Sequence, residues 1–191
     1  LVIMAWFKNV YDFDDFLFEF KKKFRKYVWQ EKVHIFSKVW HFKRKYLLQQ
    51  NKPEEHEFVG SHKTEKYDDT DLKILKILSK NARMPVIDIA TKIKIPERTV
   101  AFRIKQLEKR KIIQGYRINI NLEKIGYEYY KINLILNDFS KYQELFKFAE
   151  FHPNVIYIDR TSSELDFEID VEVENKQELQ KIVNEIKSKF N

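Results

Sequence analysis

The chain has 191 residues, no cysteine, 43% hydrophobic and 15% aromatic content, and a net charge of +7. That length and apolar content suit one or two packed domains and exclude disorder as the default. The lack of cysteine excludes disulfides and thiolate metal sites, and no apolar run reaches the roughly 20 residues of a membrane span, which together suit a cytoplasmic protein.

The first residues, LVIMAWF, are rich in strand formers and predict a buried strand. They lack the basic start of a signal peptide and an initiator Met, and the chain is expected to be a window cut from something longer. Phe13, Phe16, Leu17, Phe20 and Phe24 follow at helical spacing, with acidic residues first and basic ones last, as the helix dipole favours. A third element, residues 33–46, reads as a strand. Residues 49–66, with Pro53, Gly60 and few apolar residues, read as a linker.

Residues 67–117 predict three helices and a basic ribbon. Asp69 or Thr70 caps the first helix, with Leu72, Leu75 and Leu78 inward and Ile74 and Ile77 beside them. Pro85 opens a short second helix over residues 86–93, whose small Ala90 allows a close crossing. Lys94 and Ile95 make the turn. Pro96 opens a third helix with Val100, Ile104 and Leu107 inward. Its outward residues are Arg98, Thr99, Phe102, Arg103 and Gln106, then Lys109 and Arg110.

That outward set has the chemistry of groove reading. Arg pairs bidentately with guanine and Gln with adenine. A hydroxyl such as Thr99 at a helix start suits a phosphate oxygen. Lys109, Arg110, Lys111 and Arg117 surround the ribbon and suit backbone contacts. Phe102 either packs on a thymine methyl or packs within the domain or on a partner.

Downstream, residues 129–136 predict a strand and residues 139–152 a helix, with Asp138 as N-cap. Residues 155–161 and 165–174 predict strands around the turn at Ser162 and Ser163. In the latter, Phe167, Ile169, Val171 and Val173 alternate with Glu168, Asp170, Glu172 and Glu174, giving one buried and one wet face. Residues 176–190 predict a helix with Leu179, Ile182, Val183, Ile186 and Phe190 inward. A ferredoxin-like βαββαβ unit needs one more strand.

Charge follows these boundaries. Residues 67–117 hold thirteen Lys/Arg against six Asp/Glu, or +7; residues 1–48 hold eleven against five, or +6; residues 49–66 hold three against four, or −1; residues 118–191 hold nine against fourteen, or −5. Such a split suggests a polyanion-binding module joined to a part that does not touch the polyanion; solvated lysine-rich faces are the plainer account. A repeat also shows. Shifted by 166 places, residues 1–25 fall on 167–191 without a gap, and Ile3, Asn9, Glu19, Lys21, Lys23 and Phe24 meet identical residues. The N-terminal piece then reads as the second half of one βαββαβ domain, and the C-terminal piece as most of another. Two unrelated units of similar patterning are the alternative.

The segment around the three helices resembles the winged helix-turn-helix of the Lrp/AsnC (feast/famine) regulators. The resemblance rests on Asp71, Ile74-Leu75, Leu78, Asn81-Ala82-Arg83, Ile89-Ala90, Thr99-Val100, Arg103-Ile104, Leu107-Glu108, Ile112-Ile113 and Gly115-Tyr116-Arg117. The downstream elements resemble that family's βαββαβ (RAM) sensing domain. The resemblance implies an α+β fold: a winged helix-turn-helix flanked by ferredoxin-like domains, the N-terminal one half present. It implies double-stranded DNA as partner, contacted by Thr99 and Arg103 among others. It also implies a homodimer or higher oligomer through RAM-like domains, and an amino acid or other small molecule as effector. Thr161, Ser162, Ser163 and Asp166 are the effector candidates. Two positions depart from the family pattern. Pro96 stands where Ser or Thr is usual, which removes a side-chain cap. Of the Gly and Tyr-Asp usual before the third strand, only Asp166 is kept.

No cofactor, metal site or catalytic group is expected. Some haem-pathway decarboxylases resemble the same two-domain fold, and that alternative needs Arg and His converging on a carboxylated tetrapyrrole. The five His are His34, His41, His56, His62 and His152. None lies in the helix-turn-helix, and His152 suits a helix cap. A partner-only adaptor that has lost DNA binding is the third alternative.

Overall fold

A computed structural model describes residues 2–48, 57–59 and 64–190, with backbone alone for Glu57–Val59. The chain forms two compact units, residues 1–34 and 35–191.

The first unit is built on helix α1, Val10–Phe24. Asn9 caps it, its side-chain oxygen accepting from the amides of Tyr11 and Asp12 at 2.9 and 3.0 Å. The aromatic positions stack along one face: Phe16 on Phe20 at 6.2 Å and Phe20 on Phe24 at 5.2 Å, with Phe7 against Phe13 and Phe16. Glu31 lies 2.6 Å from Lys21 and 3.0 Å from Arg25, and its bond to Lys21 holds its carboxyl below the usual range. The strand expected over residues 1–7 does not form at 2–7. A strand exists only where a neighbour takes up its backbone groups, and these residues pair with no other segment among the described residues.

The second unit holds a five-stranded antiparallel sheet of order β2-β1-β4-β5-β3. Its strands are β1 (Ile35–His41), β2 (Glu57–Val59), β3 (Glu128–Leu134), β4 (Val155–Ser162) and β5 (Phe167–Val173). Helices α6 (Tyr142–Phe151) and α7 (Lys176–Phe190) carry its apolar core: Leu145, Ala149, Ile182, Ile186 and Phe190 pack with Ile132, Val155, Ile158, Phe167, Ile169 and Val171. Before α6 comes a single 3-10 turn, capped by Asp138 as expected.

Three expectations change here. The strand read at 33–46 is β1 alone, followed by a short helix α2, Lys45–Leu48, whose Lys45 ammonium donates to the carbonyls of Glu150 and His152 and closes the end of α6. β1 joins the same sheet as the C-terminal strands, because β4 offers it an open edge. The linker read at 49–66 contains β2, paired with β1; its other residues up to Lys63 lie outside the described residues, as do His56 and His62.

The polar side of β5 is also not wet. Glu168, Asp170 and Glu172 are 3%, 4% and 1% exposed. Arg44 grips Glu172 with two bonds, 2.8 and 2.9 Å, and Tyr46 donates to the same carboxylate. Lys131 lies 2.5 Å from Asp159, 2.9 Å from Asp170 and 3.7 Å from Glu168. Burial raises the Asp159 carboxyl above its ordinary range, against the pull of Lys131. Alternation in sequence places these acids on one face, and cations from β3 and from the turn after β1 then cover them.

Candidate nucleic-acid interface

The helix-turn-helix is α3 (Asp69–Leu78), α4 (Val86–Ile93) and α5 (Glu97–Lys109), around a core of Ile74, Ile89, Ala90, Val100 and Leu107. Ile74, expected to flank, is the fully buried residue of α3, while Leu75 and Leu78 pack at its margin. The cap of α3 is Asp68, not Asp69 or Thr70: it accepts from the Asp71 amide at 2.8 Å and Asp71 reaches back to the Asp68 amide, a reciprocal capping box. Lys94 makes the turn into α5 in the left-handed region, φ 58°. Glycine would relieve that conformation, but a lysine there keeps a cation beside the start of α5.

Pro96 precedes α5 without a side-chain cap, as expected. The first amides of α5, at Glu97 and Arg98, therefore have neither intrahelical acceptors nor a capping side chain, and they point where an anion binds well. Arg98, Thr99, Phe102, Lys105 and Lys109 are all exposed, and their spacing places them along one side of the helix. Gln106 is half-buried at the margin of this stripe. Arg98, Lys105 and Lys109 make no ion pair among the described residues. Phe102 is 60% exposed, so it does not pack within the domain. Lys105 is absent from the outward set read in the sequence, although it lies three residues beyond Phe102 and seven beyond Arg98, on the same face.

Arg103 is placed differently from its expected role. Its guanidinium donates to Asp68 at 2.7 Å and Asp71 at 2.9 Å, tying α5 to the capping box of α3. These two bonds, the Asp68 one first, raise its already high pKa further. The sequence shows an outward Arg on α5, and only the crossing of α3 brings two carboxylates beneath it.

The ribbon after α5 has no strand among the described residues. Lys111 turns the chain at φ 58°, and the amides of Ile112 and Ile113 both donate to the Leu107 carbonyl, at 2.9 and 3.1 Å. Tyr116 donates to Glu108 at 2.9 Å, and burial first, then that bond, pushes its hydroxyl up to about 12. Arg110 lies 3.4 Å from Glu65. Arg117 lies over the Tyr157 ring of the sheet, 6.0 Å from its centre, which joins the end of the ribbon to β4.

The expected effector residues form a turn whose polar groups satisfy one another. Thr161 bonds Ser163 at 2.9 Å and donates to Glu168, and Ser163 accepts from the Leu165 amide at 3.1 Å. Asp166 accepts from the Leu136 amide at 2.8 Å, pinning the start of β5 to the end of β3, and Ser162 alone is exposed. His152 is the C-cap of α6, its backbone N–H donating to the carbonyls of Phe148 and Ala149, and its ring nitrogen accepts from the Asn154 amide at 3.2 Å. His41 stacks on Tyr157 at 4.5 Å, and burial with Arg117 and Arg44 nearby depresses its pKa to about 3. Among the described residues no cluster of three His, Asp or Glu side chains is arranged to hold a metal ion, and no helix is long and apolar enough to cross a membrane.

A helix-turn-helix with an exposed cationic stripe, followed by a sheet-and-helix domain, defines the class of two-domain winged helix-turn-helix proteins. The family model for winged helix-turn-helix DNA-binding matches residues 67–114. The chain is 43% identical to the HTH-type transcriptional regulator LrpA of Pyrococcus horikoshii over 83 residues, which are 44% of this chain and 57% of that protein. A solved transcriptional regulatory protein of Pyrococcus furiosus, described as a member of the AsnC family, superposes with TM-score 0.54 at 27% identity, over 65% of this chain and 83% of that one. A transcriptional regulator from Neisseria meningitidis, solved as a complex with L-Met, shares the fold with TM-score 0.56 at 19% identity, over 62% of this chain and 78% of that one. The chain is thus similar to Lrp/AsnC-type transcriptional regulators, and it spans little more than half the length of LrpA.

Proposed function

We propose that this chain is a sequence-specific, double-stranded-DNA-binding transcriptional regulator whose α5 lies in the major groove. The observation that carries this reading is the stripe of Arg98, Thr99, Phe102, Lys105 and Lys109, exposed in a module of net charge +7 and without ion-pair partners among the described residues. Arg98 and Gln106 read base edges, Phe102 meets a thymine methyl, and the amides opening α5 with Thr99 hold a phosphate. Lys105, Lys109, Arg110 and Arg117 track the backbone. Arg103 acts through the capping box it holds.

The sheet domain assembles the protein into a dimer or higher oligomer in the cytoplasm, and it is a sensing domain rather than an enzyme. The Neisseria L-Met complex supports an amino-acid effector. Thr161 and Ser163 already bond each other and Asp166 holds the Leu136 amide, so an effector bonds to them only by displacing those contacts. The test is duplex binding by fluorescence anisotropy, first to random duplexes and then to an enriched pool, across a salt series. A regulator binds enriched duplexes more tightly, with affinity falling steeply with salt. Salt-insensitive binding, or none to any duplex, overturns the reading.

A further inference from the structure

Helices α1 and α7 correspond under the 166-residue shift but differ in how fully they are covered. Each is 15 residues long, Val10–Phe24 and Lys176–Phe190, and the 166-residue shift carries one onto the other end for end. Each begins after an asparagine that caps it: Asn9 accepts from Asp12 at 3.0 Å and Asn175 from Glu178 at 3.0 Å. The inward positions of α7 that pack on the sheet, Leu179, Ile182, Val183, Ile186 and Phe190, correspond to Phe13, Phe16, Leu17, Phe20 and Phe24. The difference is in burial. Ile182, Ile186 and Phe190 are 5%, 4% and 9% exposed, while no residue of α1 is buried and Phe16 and Phe24 are 40% and 37% exposed.

The residues before each helix differ in the same way. Phe167–Val173 is β5, paired on one side with β3 and on the other with β4. Its counterpart, residues 1–7, forms no strand at 2–7, and Val2 and Trp6 are 89% and 81% exposed. Both halves of this strand–helix piece therefore lack what β3, α6 and β4 supply to the C-terminal one. An aromatic helix face that stays half-exposed beside an apolar strand sequence without a strand lacks most of the packing that stabilises a helix, and an apolar patch of this kind marks an interaction surface.

We propose that the aromatic face of α1 and residues 2–8 together dock one partner: a strand–helix–strand unit of the kind this chain carries at Glu128–Ser162. Its two strands flank residues 2–8, and its apolar sheet face receives Phe13, Phe16, Leu17, Phe20 and Phe24. Where β5 presents Glu168, Asp170 and Glu172 to cations, the N-terminal counterpart presents Val2, Met4 and Trp6. The far face of the completed sheet is accordingly apolar along this strand where the C-terminal one is charged.

The test joins a second copy of residues 118–166 directly ahead of Leu1 in the full chain, the place the shift assigns to it. Hydrogen exchange of residues 2–8 and α1 then slows by on the order of a hundredfold. Phe20→Asp in α1 removes that protection and leaves α7 unchanged. The chain has no cysteine, so Ile3→Cys with Ile132→Cys in the added copy reads the register directly. The pair cross-links if residues 2–8 take the place of β5, where Ile132 lies opposite Ile169. Unchanged exchange together with no cross-link overturns the proposal. So does protection of α1 in the unfused chain by phosphatidylglycerol vesicles, which makes the aromatic face a lipid-binding one.

Discussion

Two charged surfaces of this protein use the same kinds of residue to opposite ends. Along α5, Arg98, Lys105 and Lys109 stand exposed without ion-pair partners among the described residues. Across the sheet, Glu168, Asp170 and Glu172 are buried with Arg44 and Lys131 laid over them. The helical surface keeps its charge in water, where attraction to a polyanion costs little desolvation and acts over a Debye length. The sheet surface spends its charge internally: each acid out of water is tolerable only while its cation stays. The first surface is built to meet a partner, and the second to hold β1, β3 and β5 in register.

That contrast is broken most severely by removing one half of a buried pair. Arg44→Ala leaves Glu172, 1% exposed, without its guanidinium, and such a loss costs about 3–5 kcal/mol. Urea unfolding of the full chain reads it directly. Arg44→Ala with Glu172→Leu recovers most of the loss, since a well-packed apolar replacement avoids the desolvation penalty. A cost below about 1 kcal/mol for Arg44→Ala, in the range of exposed pairs, would place this bridge with the solvated ones.

The next effect is one of pH. Burial depresses His41 to about 3, with Arg117 and Arg44 adding to it, from an ordinary value of 6.5. Between those values the unfolded chain binds more protons at this site than the folded one, so stability rises with pH across that window. It is complete above 6.5 and is lost as the pH falls toward 3, with a slope of up to about 1.4 kcal/mol per pH unit. Asp159 is shifted upward by burial and works in the opposite sense, losing its contribution as pH rises through its raised value. His41→Gln isolates the histidine: its unfolding free energy changes less between pH 6.5 and 4.5 than the parent's. Parallel curves for the two proteins would show that His41 stays in water.

On the exposed surface, the effect moves from stability to binding. Arg98→Ala lowers affinity for the preferred duplex about tenfold or more, in line with the ~1–3 kcal/mol of a bidentate base contact, and relaxes discrimination at one position. Lys105→Ala weakens all duplexes alike and lowers the salt slope by about one. Both variants keep the parent's unfolding free energy within about 0.5 kcal/mol. Loss of stability in either would mean that the stripe is structural.

Much of this architecture is legible in the residues alone. The three short helices, the turn at Lys94 and the inward Val100 and Leu107 follow from periodicity and from Pro85 and Pro96. The helix at 176–190 and the caps at Asp138 and His152 do so as well. What escapes is whatever depends on a distant partner. Nothing in the alternation of β5 says that Arg44, 128 residues away from Glu172, turns a wet face into a buried one. Strand formers at residues 1–7 promise a strand, yet pairing is a property of two segments, and among the described residues none pairs with 2–7. Lys105 was available from helical spacing, because it shares a face with Arg98 and Phe102.

Arg103 sits on the boundary between the two surfaces, and its substitution is the finest test of where that boundary runs. It points from the same helix as Arg98, yet its side chain is 29% exposed and bonded to Asp68 and Asp71. If those bonds are its role, Arg103→Ala destabilises the helix-turn-helix by about 1–2 kcal/mol, the range of charge-assisted bonds discounted for partial solvation. DNA affinity of the folded fraction then stays close to the parent's, with the salt slope unchanged. Arg103→Lys restores part of the stability, because an ammonium reaches one carboxylate but cannot fork between two. A phosphate contact predicts the reverse: little change in unfolding, and a salt slope reduced by about one. The two readings separate on a single pair of measurements because a guanidinium committed to two carboxylates has to give them up before it can reach DNA.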